Sequence, residues 1–510
     1  MRAAERAFRL LAYEQSAWHY ERALQAFDLT SRRDEADRCQ LLLALGEAYT
    51  ASGARARARA AFERAAEIAR RLGRADLLAQ SAVGYRGSTE MGSPPERTTL
   101  ALLEEAAAQV SDAEPGARAR VLSRLVGTPP YANSMETRDR LSREALALAE
   151  RAGDRVARRD ALSARLWACL GPDHIDERLA VATQLLEFAD RHDDRYMALL
   201  AQEARLGAAL LRGDMRAADH ALSAYGRIAE ELRQPAFLFQ VTFWQGSRAL
   251  ARGCLDEAER LFRAALERGR GTVPYAHFMF AGQMYVLLYL RGGEDDPELR
   301  RTFFGEMMEV PYSWELAMRS ALAFARVLGG ESEAARHEFE ALAARGFATI
   351  PRDEHWLVTI ASLASVTVLL DDRRRAAELY ELFLPYADLM VVHDLLRSVT
   401  ESVSTSLGKL ATTLGRYDDG VKHFETGIDK EAAMHNVAAL IESKAGFARL
   451  LLRRGQRRDR ARAHQLLREV GHDMAAHGLR RNWQLFALET LDGVQLPAEL
   501  KPLKMELFRI

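Results

Sequence analysis

The sequence predicts an all-α chain, a right-handed superhelical α-solenoid of about twelve helix pairs. Three observations predict it. A helix-pair pattern recurs about every 40 residues from end to end, and a fixed period of this length marks stacked supersecondary units. Small residues stand where two helices must approach closely. Glycine or aspartate stands in the short turns between paired helices. Each such unit buries its apolar face only against its neighbours, so the expected core is long and thin.

The clearest copy reads LGEAYTASGARARARAAFERA, in which Leu45, Gly46, Tyr49, Gly53, Ala58, Phe62 and Ala65 fall at the spacing of a tetratricopeptide repeat. A large residue near the start of each second helix gives a ruler along the chain. Its members are Tyr20, Phe62, Leu102, Ala145, Leu185, Leu222, Phe262, Phe303, Phe339, Tyr380, Phe424 and Leu467. Ala58, Ala258, Ala335, Ala376 and Gly420 each precede a ruler residue by one helical turn and let the second helix lie close on the first. Gly53, Gly213, Gly253, Gly330 and Gly415 occupy the tight turns, where glycine takes positive φ without penalty. Asp371 replaces glycine in LLDDRRRAAELY, since aspartate tolerates the left-handed region better than most residues.

No strand alternation is read anywhere. Residues 1–490 form one repeat region, with a looser break near 86–136, where RGSTEMGSPPERT and GTPPYANSME interrupt the pattern. The chain opens part-way through a repeat. Residues 491–510 leave the pattern and are expected to cap or trail the last pair.

Composition narrows the function classes. Lys+Arg is 71 against Asp+Glu 72, a net charge of -1, so no global positive field gathers nucleic acid or an anionic membrane. The basic residues are almost all Arg, which suggests a GC-rich bacterial genome. Cys39, Cys169 and Cys254 lie far apart inside helical patterns and read as free, buried thiols of a reducing cytoplasm. No apolar run reaches the roughly 18 residues of a membrane span, and MRAAERAFRLLAYEQ has no signal-peptide core. The histidines show no metal-ligand spacing, no phosphate-binding glycine loop occurs, and no nucleophile elbow is present. No catalytic, cofactor or metal residue is therefore assigned.

Several segments carry a resemblance. LLAYEQSAWHYERALQAF, LGEAYTASGARARARAAFERAAEIARRLG, PRDEHWLVTIASLASVTVLLDDRRRAAELYELFLPYA and LGKLATTLGRYDDGVKHFETGI resemble the C-terminal helical region of large bacterial signalling ATPases. These are LuxR-type transcriptional activators and class III adenylate cyclases that carry an ATPase and a long tetratricopeptide sensor. The resemblance implies a non-catalytic binding or sensor arm of signal transduction and transcription regulation. Its partner would be a protein or peptide, with an ATPase or DNA-binding module acting in cis or in trans, or a small-molecule effector. The alternatives are a stand-alone peptide-binding scaffold and, remotely, an enzyme built on a helical solenoid.

One compositional shift suggests where binding would occur. Residues 235–315 concentrate aromatics, and PYAHFMFAGQMYVLLYL is thin in charge. Two readings stay open: a tighter core, or an aromatic-lined groove on the concave face. For the groove, repeat phase assigns Gln240, Phe243 and Ser247 to the inner curve, with Trp244 nearer the helix–helix seam. Tyr275, His277 and Gln283 fall on the next unit's first helix. Trp167, Trp356 and Trp483 are read as seam residues.

Overall fold

The computed structural model describes residues 2–10, 12–29, 34–86, 97–129, 131, 134–273, 275–292, 298–299, 312–328, 331–394 and 396–479. Phe303, Phe304, Gly330, Trp483, the side chains of Tyr312 and Trp314, most of the 86–98 loop and the 491–510 cap lie outside the described residues. The chain divides into two compact units, 1–169 and 170–510, so the boundary lies beyond the 86–136 stretch.

The first unit holds nine helices among its described residues: α1 (Arg2–Arg9), α2 (Tyr13–Asp28), α3 (Glu35–Ala51), α4 (Arg55–Leu72), α5 (Ala75–Arg86), α6 (Arg97–Gln109), α7 (Pro115–Val126), α8 (Met135–Ala152) and α9 (Arg155–Ala168). The second begins with α10 (Ile175–His192), α11 (Arg195–Arg212), α12 (Met215–Leu232), α13 (Pro235–Ala251), α14 (Leu255–Gly269) and α15 (Ala276–Arg291). It continues with α16 (Tyr312–Leu328), α17 (Ser332–Ala343), α18 (Trp356–Leu369) and α19 (Arg373–Phe383). After an insertion come α20 (Val403–Leu414), α21 (Tyr417–Ala433), α22 (Val437–Arg454) and α23 (Asp459–His477). Within each unit most successive helices pack side by side, which is the helix-pair repeat the sequence predicts.

Every described ruler residue lies on a second helix, and all but one are buried. Phe62, Phe262, Phe339, Tyr380, Phe424 and Leu467 are core residues, as are the small residues Ala58, Ala258, Ala335 and Ala376 one turn earlier. The exception is Leu222, which is half-buried; on α12 the seam is filled by Ala221 and Tyr225 instead.

The rings need room, and glycines supply it. A Cβ on Gly46 would come 2.6 Å from the Phe62 ring, and one on Gly84 would overlap the same ring from α5. Phe424 repeats the arrangement at the same spacing between Gly408 and Gly446, where added Cβ atoms would come to 2.8 and 2.9 Å. Each phenylalanine is thus wedged between the first helix of its own pair and that of the next. Interiors packed at crystal-like density leave no slack at such a point.

The turns follow from two adjacent residues. The first takes the left-handed conformation that ends a helix, and the second caps the next one. At Gly213–Asp214 the glycine has φ 73° and the aspartate carboxylate accepts from the Ala217 N–H at 3.0 Å. Asp371 fills the first position with φ 51°, as expected, and Asp372 accepts from the Arg375 N–H at 3.1 Å.

Two expectations are corrected. The chain is not free of strands. β1 (Met390–His393) and β2 (Ser398–Ser402) form an antiparallel hairpin between α19 and α20, pairing Met390 with Ser402 and His393 with Ser398. A bulge falls where Val391 faces Glu401 and Val392 faces Val399. And Cys254, expected to be buried, is exposed at the start of α14, whereas Cys39 and Cys169 are buried.

Candidate functional site

The hairpin inserts among helices that are far apart in sequence. β1 packs against α11 and α18, and β2 against α13, α20, α21 and α22. Met390, Val391, Val392 and Leu396 are buried there, and the Met390 side chain lies over the turn at Gly213. Polar ties fix the position. The Ser247 hydroxyl donates to the Leu396 carbonyl at 2.8 Å, and the Asn436 amide donates to the Val399 carbonyl at 2.8 Å. The Tyr386 hydroxyl, just before the hairpin, donates to Asp173 at 2.5 Å. That contact holds the Tyr386 phenol up at about 12, with burial the larger cause.

Beneath the hairpin tip is a cluster of charges. Arg397, at φ 46°, ion-pairs with Asp394 across the turn and with Glu203 of α11 at 3.2 Å. Its guanidinium lies 5.4 Å from the centre of the Trp244 ring, within cation–π range. Arg178 of α10 is fully buried and stands 3.5 Å from the Asp394 carboxylate. A Cβ on Gly207 would overlap the Arg178 guanidinium and lie 3.2 Å from that of Arg397, so both cations converge on one bare stretch of α11.

The protonation states follow from burial and neighbours. Burial pushes the Glu203 carboxyl above its usual range despite Arg397. Burial would raise Asp394 too, but Arg397 and Arg178 together hold it below the usual range. Burial also draws Arg178 down. His393 falls to about 3, through burial and then through His355, whose ring centre is 6.0 Å away. His393 is thus neutral near pH 7.

A second buried network anchors the hairpin's far end. The Glu431 carboxylate accepts from the Ser402 N–H at 2.9 Å, from the Thr405 hydroxyl at 2.8 Å and from the Ser443 hydroxyl. Burial nonetheless raises it to about 7. Lys409 beside it pairs with Glu401 at 2.5 Å and with Glu442 at 3.7 Å.

The residues expected in the groove do not share one surface. Phe243 is fully buried, with its ring centre 5.1 Å from that of Phe262 and 5.7 Å from that of Phe239. Trp244 is buried at a seam as assigned, edge-on to Tyr225 of α12 at 4.8 Å and with the Arg397 guanidinium 5.4 Å from its ring centre, so of the two only Phe243 departs from its expected place. The reason is helical phase: Phe243 lies three residues before the seam glycine Gly246 and therefore on the same face. Ser247 does face inward, but it is buried against the hairpin. Gln240 is half-buried and accepts from the Tyr225 hydroxyl at 3.5 Å. Gln283 is buried, whereas Tyr275 and His277 are exposed at the start of α15. Trp356 is a seam residue, stacked edge-on with Tyr386 at 4.8 Å.

Sequence reasoning missed Arg178, Glu203, Asp394 and Arg397. Two signals could have found them. Arg178 occupies an apolar-phase slot between Ile175 and Val181 of α10, where a charge needs a partner. Val391, Val392, Val399 and Thr400 flank a short turn, which is a hairpin pattern.

Among the described residues no group of three or more His, Cys, Asp or Glu side chains could hold a metal ion, and no helix is long and apolar enough to cross a membrane. No family model matches the chain, and no curated protein does. Solved structures that resemble it include the APC/C hetero-tetramer Cut9–Hcn1, at 13% identity over 94% of this chain and 95% of that one, with a TM-score of 0.35. Yeast Tom70 follows at 13% identity, 91% and 97% coverage and a TM-score of 0.31. A circular tandem repeat protein with novel repeat topology shows 16% identity, 93% and 88% coverage and a TM-score of 0.13. Likeness at this level carries no argument about partner or activity; the fold rests on the helices themselves.

Proposed function

We propose that the chain is a non-catalytic binding arm of a signalling protein, a helix-pair scaffold that reports the occupancy of its inner face to a partner module. The observation that supports this reading most is the hairpin. A repeat stack needs contacts only between neighbours, yet here the 390–402 segment joins helices from both ends of the second unit. An element held by far-apart repeats can relay a local event to both of them. The resemblance to sensor regions of signalling ATPases points the same way and suggests an ATPase or DNA-binding module as the partner. The exposed pair Tyr275 and His277 is the proposed contact point for it.

The test is direct binding. The purified chain should form a stoichiometric complex in calorimetry with a signalling ATPase module encoded beside its gene. Tyr275→Ala with His277→Ala should weaken the complex at least tenfold while leaving the helical signal unchanged. Lack of binding to any such module would overturn the reading.

A second reading, a stand-alone peptide-binding scaffold, draws on the same hairpin, because its burial against α11 and α13 means that these helices accept an extended chain. A short peptide that binds the chain alone, with the ATPase module having no effect on its affinity, would favour it.

A further inference from the structure

We propose that Arg178 and Arg397 form a binding site for one oxyanion group, a carboxylate or a phosphate, of a ligand that enters between Glu203 and Asp394. The proposal rests on the reading of the chain as a binding arm and names the chemistry that its inner face would recognise.

Arg178 carries the argument. Its guanidinium is 1% exposed, and none of its three nitrogens makes a hydrogen bond. Its ion pair with Asp394 is long at 3.5 Å. A buried cation without hydrogen bonds is costly, and natural interiors avoid it unless the group has a use. The Nε of Arg397 also lacks a hydrogen-bond partner.

Gly207 leaves α11 bare at the point where both guanidiniums converge: that of Arg178 occupies the space a Cβ would take, and that of Arg397 lies 3.2 Å from the same point. Asp394 answers both guanidiniums, and a second anion on the Arg178 nitrogens that lack hydrogen bonds would relieve the repulsion that one carboxylate leaves. Arginine's planar fork suits an oxyanion with two oxygens to offer. Arg397 and Arg178 hold the Asp394 carboxyl below its usual range, while burial pushes that of Glu203 above it. Access comes from the flank, where the Glu203 side chain is 27% exposed and that of Asp394 is 15% exposed. The Trp244 ring packs against the Arg397 guanidinium at 5.4 Å.

The experiment uses the full chain and two probes, inorganic phosphate and acetate, each at constant ionic strength against sodium chloride. Thermal shift and calorimetry are read on wild type, Arg178→Lys and Arg397→Lys. Both variants keep the charge and lose the fork, so they separate anion recognition from simple charge balance. Wild type should be stabilised by at least one probe beyond the chloride control, and either substitution should weaken that probe at least tenfold. A response to phosphate alone identifies a phosphoryl ligand, and a response to acetate alone a carboxylate. If a lysine variant melts too low to assay, the Ala258→Leu chain, overpacked on α14, serves as a destabilised control that should keep the wild-type response. Absence of any probe-specific shift in wild type, or equal responses from wild type and both lysine variants, would overturn the site. Because no partner module is present, neither result depends on whether the proposed complex forms.

Discussion

Ser247 and Leu396 stand 149 residues apart in the chain, yet the Ser247 hydroxyl donates a 2.8 Å hydrogen bond to the Leu396 carbonyl. The bond joins α13 to the tip of the inserted strands, and both residues are buried. Replacing Ser247 by alanine strips the carbonyl of this donor. The expected loss is roughly 1–3 kcal/mol, the range for a buried polar group left unsatisfied. Urea unfolding of the variant measures it, and an unchanged midpoint would mean that the hairpin is not held there.

Glu431 gives the chain a pH-dependent stability. Its carboxyl titrates near 4.5 when unfolded and at about 7 when folded, with burial the largest cause. The folded state therefore holds the proton more tightly. The contribution is whole below about 4.5 and is lost as pH rises through about 7, at a cost on the order of 3 kcal/mol. Glu431→Gln keeps an acceptor for the Ser402 N–H and the Thr405 hydroxyl but does not titrate. Its urea midpoint should be flatter than that of wild type between pH 5 and pH 8.

The wedged phenylalanines make a geometric prediction. Gly84→Ala would drive a methyl group into the Phe62 ring, and Gly446→Ala would place one 2.9 Å from Phe424. Each should cost roughly 1–3 kcal/mol by overpacking. Pairing Gly84→Ala with Phe62→Leu should recover part of the loss, and a double-mutant cycle reads the coupling.

Helical phase is tested on a single helix. Ala258 of α14 is buried one turn before Phe262, while Arg260 is exposed. Ala258→Leu should cost roughly 1–3 kcal/mol, and Arg260→Ala less than about 0.5 kcal/mol. Equal thermal shifts for the two would contradict the packing.

Thiol chemistry separates the cysteines. Cys254 is exposed, whereas Cys39 and Cys169 are buried. Burial also pushes the Cys39 thiol up to about 11, which starves it of thiolate near neutral pH. A thiol reagent should label Cys254 within minutes, and the other two only after denaturant is added.

The repeat was legible because its rules are local. Phe62, Ala58 and Gly53 stand in one short stretch, and each follows from close packing or from a turn that needs positive φ. The site was not legible, because its members come from four distant places: Arg178, Glu203, Trp244 and the 394–397 turn. No spacing within one helix encodes their meeting. The hairpin was missed for a related reason. It is short, and the helical pattern on both sides of it is strong enough to mask a brief change of period. Phe243 was misplaced in helical phase: three residues before Gly246 it shares the glycine's face and meets the Phe262 ring in the seam.

The inserted hairpin also sets a timetable for synthesis. Helix α13 leaves the ribosome well before the strands that cover it. At roughly 5–20 residues per second, the interval between Ser247 and Leu396 lasts about 7 to 30 s. During that time the inner face of α11 and α13 has no cover, and the nascent chain offers apolar surface to any neighbour. Folding of the second unit is thus gated by translation of its last third, and a holdase that shields residues 195–251 would raise the yield of native protein.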